Sequence, residues 1–185
     1  MVYWDMDGVL ATYSRDDYSY SEETNSLAYL NIEHYFLNRP IDSIGMDLFR
    51  ACVKLLPDDT CVLTGVTNDS KRRFEHIIDK MTWIHSCCPE FDVGSKFIAL
   101  STDKRNYITG IRGMTLTAND VLIDDYNINL YKWMAAGGTS IKYLNGINSK
   151  SSWSGRTINY EELEGTCEGA LSYMSNLLYE LFGRV

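Results

Sequence analysis

Two carboxylates separated by one residue, Asp5 and Asp7, close the first apolar run of the chain, and Gly8 follows at once. Residues two apart in a strand point to the same side, so the two acids share one space, repel and raise each other's pKa. A divalent cation removes that penalty, and a phosphate oxygen can share the cation. An Asp-x-Asp-Gly turn closing a hairpin would use the same residue types, because Asp and Gly favour turns. A second acidic pair weighs against that reading: Asp124-Asp125 also ends an apolar run, Val121-Leu-Ile. His34, His76 and His85 have no metal-ligand spacing and read as surface or packing residues.

The elements that must position these acids alternate in type. Val2–Asp5, Thr60–Leu63, Lys96–Leu100, Val121–Ile123 and Thr139–Leu144 read as strands. Between them, Gly45–Leu56 has apolar residues at i, i+3 and i+4. A helix capped by Asn68 or Asp69 runs to about Ile84 with Phe74, Ile77, Ile78 and Met81 on one face, and Asn127–Ala136 stops at Gly137-Gly138. Residues 145–157 read as a loop. A last helix, about Glu161 to Phe182, carries a core stripe of Ala170, Leu171, Met174, Leu177, Leu178, Leu181 and Phe182. Strand–helix alternation predicts an α/β fold, a doubly wound parallel sheet. Ligands of such sheets sit beyond the carboxyl ends of the strands, where Asp5, Thr64 and Asp124 all fall. Residues 11–44 are too long for a tight connection and read as a small helical cap inserted after the first strand. Residues 1–10 and 45–185 then form the core domain.

Composition narrows the partners. The chain has 185 residues, enough for one domain with a substantial core. A net charge of −8 argues against long nucleic acid, which calls for a basic face. No apolar run approaches the roughly 20 residues of a membrane span, and Asp5 and Asp7 interrupt the stretch that would have to be a signal peptide. Five cysteines without a Cys-x-x-Cys suit neither a disulfide framework nor zinc, so a cytoplasmic location with reduced thiols is expected.

Asp5-Met-Asp-Gly-Val, Val62-Leu-Thr-Gly, Asp103-Lys-Arg and Leu122-Ile-Asp-Asp occur in the order of the four motifs of the haloacid dehalogenase (HAD) superfamily of phosphotransferases. The chain resembles that superfamily over residues 1–145. The stretch from Leu122 to Gly138, with Ala11 after Gly-Val-Leu, is similar to the 5'(3')-deoxyribonucleotidase branch, the cytosolic-type 5'-nucleotidases and their bacterial and phage relatives. The resemblance implies a Rossmann-like core and an Mg²⁺-dependent phosphatase acting on nucleoside monophosphates, with room for a homodimer. It implies that Asp5 attacks phosphorus to give an aspartyl-phosphate and that Asp7 acts as general acid and then general base. Mg²⁺ would be held by Asp5, the backbone carbonyl of Asp7, and Asp124 or Asp125. Thr64 would hold the phosphate with the N–H groups of Gly65 and Val66, and Lys104, or alternatively Lys96, would neutralise charge. Tyr13, Tyr18, Tyr20, Tyr35 and Phe36 supply rings on which a base can stack for ~1–3 kcal/mol. His34-Tyr-Phe-Leu-Asn-Arg-Pro looks like the cap segment that meets the base, which makes Tyr35 and Phe36 the substrate-side candidates. A HAD phosphatase for a sugar phosphate or a nucleic-acid 3'-phosphate, and a non-catalytic nucleotide-binding module, are the alternatives.

Overall fold

A computed structural model describes residues 1–22, 26–69, 71–148, 153–159 and 167–183. The chain opens with β1 (Val2–Trp4), and every residue of it is buried. Two short strands, β2 (Tyr20–Ser21) and β3 (Ser26–Leu27), form an antiparallel ribbon of their own. Then follow α1 (Ser43–Leu55), β4 (Thr60–Gly65), α2 (Arg73–Cys87), α3 (Val93–Lys96) and β5 (Phe97–Leu100). The chain continues through β6 (Val121–Asp124), α4 (Asn127–Ala135), β7 (Thr139–Leu144), β8 (Thr157–Asn159) and α5 (Cys167–Phe182). The main sheet is parallel throughout, in the order β5-β4-β1-β6-β7-β8. The expected doubly wound α/β fold is the fold observed.

Alternation along the strands sorts the core into two layers. Val2, Trp4, Val62, Val121, Ile123, Ile141 and Tyr143 face α1 and α5, where Met46, Phe49, Met174 and Leu178 are fully buried. Tyr3, Cys61, Leu63 and Leu122 face the other way, against Leu130 and Trp133 of α4. The stripe expected on the last helix packs here: Ala170, Met174, Leu177 and Leu178 are buried, and Leu171, Leu181 and Phe182 are partly so. The part of that helix expected from Glu161 lies outside the described residues.

Four expectations need correction. Thr157–Asn159, which begins at the last residue of the stretch read as a loop and which no expected strand covers, is an edge strand beside β7. Residues 11–44 hold no α-helix before Ser43 among the described residues; they form the β2–β3 ribbon and three 3₁₀ turns, Arg15–Tyr18, Ala28–Asn31 and Tyr35–Asn38. Helix α2 begins at Arg73, after a turn in which the Asp69 carboxylate accepts from the Lys71 N–H. Its face is also rotated from the expected one. Phe74 is 73% exposed and Ile78 44%, whereas His76, Asp79, Lys80, Trp83 and Ile84 are buried. The inward face carries polar groups because it covers the sheet edge where the acids collect.

The start of α1 is pinned to the turn after β1. Asp42 caps it by accepting from the Gly45 N–H at 2.9 Å, and the Tyr143 hydroxyl donates to the same carboxylate oxygen at 2.6 Å. A Cβ on Gly45 would stand 1.8 Å from the Val9 carbonyl oxygen. Gly45→Ala is therefore expected to lower unfolding free energy by about 1–3 kcal/mol, measured by urea unfolding, because backbone on both sides must yield.

Candidate active site

The sheet changes winding direction between β1 and β6, the place where a crevice opens in such folds. Trp4 pairs with Ile123, and the Asp5 N–H donates to the Ile123 carbonyl at 2.9 Å, so Asp5 and Asp124 leave adjacent strands side by side. Lys104, in the loop after β5, bridges them, its ammonium 2.6 Å from Asp5 Oδ1 and 2.7 Å from Asp124 Oδ2. The amine is buried; although burial works against its charge, Asp124 and Asp5 hold its pKa above the ordinary lysine value. Lys96 does not take part. Its amine donates to the Pro57 carbonyl near Asp58, at the opposite end of the strands.

Asp124 and Asp125 have different surroundings. Asp124 is fully buried, and its two oxygens accept from Lys104, from Asn129 Nδ2 at 2.9 Å and from the Tyr126 N–H at 2.7 Å. Asp125 borders the open cavity. Its Oδ2 accepts from the side-chain amides of Asn145 and Asn148 at 2.7 and 2.8 Å. The Asn145 amide also donates to the Gly8 carbonyl, and the Asn148 amide to the Tyr13 hydroxyl. Behind them Lys142, fully buried on β7, donates to the backbone carbonyls of Asp125 and Asn148 at 3.0 and 2.9 Å, holding both loops with one amine. Gly8 has φ +84°, and a Cβ there would stand 2.2 Å from Asp125 Oδ2. The turn after the first acidic pair thus seats the second pair.

Asp5, Asp124 and Asp125 bring carboxylate oxygens within 4.8 Å of one another, all three buried. This all-oxygen donor set suits a hard divalent cation. Burial pushes the carboxyls of Asp5 and Asp125 upward, Asp124 adding to both and Lys104 opposing. The Asp7 side chain is turned elsewhere, with Oδ2 2.5 Å from the Lys80 ammonium. Lys80 also donates to Thr64 Oγ1 and to the Gly65 carbonyl, each at 2.8 Å.

A cavity of about 500 Å³ opens over these groups, lined by Asp5, Asp7, Gly65, Thr102, Lys104 and Asp125 on the floor. Tyr13, Arg15, Tyr18, Tyr126, Asn129 and Asn148 form its sides. Thr64 lies beneath the floor, buried against Lys80, and the Val66 N–H expected to meet a phosphate instead donates to the Leu100 carbonyl at 2.8 Å. Tyr35 and Phe36 do not line the cavity. They are buried against Tyr29 and His76, and the Tyr35 hydroxyl donates to Asp17. Of the rings in that segment, Tyr13 and Tyr18 reach the cavity, in edge contact with each other at 4.8 Å between centroids.

No protein-family model matches the chain, and no curated protein matches it. A solved structure does: the D,D-heptose 1,7-bisphosphate phosphatase from Burkholderia thailandensis, with a TM-score of 0.54 over 94% of this chain and 97% of that one, at 13% identity. The chain shares its fold with a phosphatase.

Lys80, Thr102, Asn145 and Asn148 were missed from the sequence. Lys80 lies on a helix whose apolar spacing turned it toward solvent. Asn145 and Asn148 follow a parallel strand directly, and that position was the signal available for them. A carboxyl harder to ionise in the folded than in the unfolded chain makes the folded state bind more protons, so stability falls as pH rises past the ordinary carboxylate value near 4. In EDTA the melting temperature is therefore expected to drop from mildly acidic to mildly alkaline pH, and a divalent cation to restore it most at the alkaline end. Gly8→Ala should abolish that metal-dependent rise, read by thermal melts with and without Mg²⁺.

Proposed function

We propose that the chain is a divalent-cation-dependent phosphomonoesterase of the HAD type that hydrolyses nucleoside monophosphates through an aspartyl-phosphate on Asp5. The observation that carries this reading is the meeting of Asp5, Asp7, Asp125 and Lys104 on the floor of one cavity, with Asp124 and Lys80 buried behind them, at the carboxyl edge of a parallel sheet. Asp5 and Asp125 would hold Mg²⁺ directly, with Asp124 tethering Lys104 behind them. The bound cation would neutralise the acids and the phosphate, so that an anionic nucleophile can approach an anionic ester.

The residues then divide the work. A carboxylate oxygen of Asp5 forms a bond to phosphorus as the ester P–O bond breaks, and Asp7 gives its proton to the departing alkoxide. Water then attacks phosphorus, Asp7 takes its proton, and the bond to Asp5 breaks to release phosphate. Lys104 holds Asp5 in place and matches charge on the phosphate, with Thr102 and Gly65 beside it. Tyr13 and Tyr18 offer faces and edges to a planar base, replacing Tyr35 and Phe36 in that role, and Arg15 stands at the same mouth. A sugar phosphate is the second reading. The polar side chains of Asn129, Asn148 and Arg15 suit hydroxyl groups, and the fold is shared with a heptose bisphosphate phosphatase.

Phosphate release from deoxy- and ribonucleoside monophosphates and from sugar phosphates, with Mg²⁺ and with EDTA, tests the proposal. Mg²⁺-dependent release from nucleotides is expected, and release from sugar phosphates alone would move the substrate while keeping the chemistry. Asp5→Asn is expected to remove turnover with the fold retained; full activity in that variant would exclude the aspartyl-phosphate. Tyr13→Ala should raise KM for nucleotides by roughly tenfold, the value of about one lost stacking contact.

A further inference from the structure

The feature left unexplained by this chemistry is Lys80. A lysine is almost never fully buried without partners, and this one is completely shielded on a helix whose apolar Phe74 and Ile78 face solvent. An ammonium has three protons to donate. Here one goes to Asp7, one to Thr64 and one to the Gly65 carbonyl, at 2.5, 2.8 and 2.8 Å. The face of Phe36 closes over the amine, 4.2 Å from ring centroid to nitrogen. Lys104 holds Asp5 and Asp124, so each lysine serves a different acid.

We propose that Lys80 is the positioning residue for Asp7. It aims the carboxyl that exchanges protons with the leaving group and with water. This rests on the phosphatase reading above. Thr64 and the Gly65 carbonyl fix the amine from the β4 side, and Phe36 keeps water from competing for its protons. The buried parts of the 12–42 segment thereby reach the chemistry through Lys80 rather than through substrate. Without the ammonium the Asp7 carboxyl loses its fixed orientation toward the departing oxygen, a loss felt most by a leaving group that must take up a proton.

The test compares two esters in wild type, Lys80→Met and Lys80→Arg. An alkyl phosphate leaves as a basic alkoxide and needs a proton from Asp7, whereas 4-nitrophenyl phosphate leaves as a stable phenolate and needs far less. Lys80→Met is expected to lose about 10²–10³-fold in kcat on the alkyl ester. It should lose less than about tenfold on the nitrophenyl ester, with the Mg²⁺-dependent rise in melting temperature retained. Lys80→Arg should recover part of the alkyl-ester loss. Equal losses on the two esters, or no recovery in Lys80→Arg, would overturn the proposal by making Lys80 a structural residue only. Should Lys80→Met fail to fold, Thr64→Val, which removes one of the three acceptors, should show the same leaving-group dependence more weakly, and its absence there would also overturn the proposal. A wild-type protein inactive on both esters would instead defeat the phosphatase reading itself.

Discussion

Four aspartates gathered at one sheet edge, three of them buried and the fourth largely so, set the terms for everything near them. Carboxylates this close cannot all stay ionised in a low-dielectric setting unless cations and hydrogen-bond donors surround them. The fold meets this demand from several directions. Lys104 comes from the loop after β5, Lys80 from α2, and the amides of Asn145 and Asn148 from the loop after β7. Lys142 braces that last loop from below, and Gly8 leaves the volume in which Asp125 sits. Removing a single partner strands a buried charge, so these residues act as a set.

The same demand explains why α2 faces the way it does. Taken alone, its sequence would bury Phe74, Ile77, Ile78 and Met81. A helix laid against an ordinary core would do so, since burial of an apolar face supplies most of its stability. This helix instead covers a site that needs an ammonium group, and Trp83 and Ile84 anchor its carboxyl half in the core while His76, Asp79 and Lys80 face inward. Local pattern and tertiary requirement conflict here, and such conflicts collect at functional sites.

What could be read from the sequence divides along that line. The strands, α1, α4 and the stripe of α5 obey simple periodicity because they only have to pack, and the acids at strand ends stand where a parallel sheet collects ligands. Lys104 rather than Lys96 reaches them because it follows a strand, whereas Lys96 precedes one. Lys80, the edge strand Thr157–Asn159 and the choice of Tyr13 and Tyr18 from among the aromatic candidates were not readable. Each depends on a contact far along the chain: Lys80 on Asp7, β8 on β7, and Tyr13 on Asn148. Tyr35 and Phe36 drew attention as aromatic residues, yet burial among Tyr29 and His76 gives them a packing role.

The central place of β1 bears on how the chain assembles. Strand β1 is made well before either of its neighbours: Val2 pairs with Thr60 on one side and with Val121 on the other. Non-local parallel pairing of this kind forms slowly. A chain emerging from the ribosome therefore carries Asp5 and Asp7 long before Asp125, Asn145 and Asn148 exist to share their space. Until then β1 has no complete sheet to join, and the acids stay hydrated. The acidic centre therefore closes only once the chain as far as Asn148 has been made, and a cation that fits it would bind that closed form and draw assembly forward by mass action.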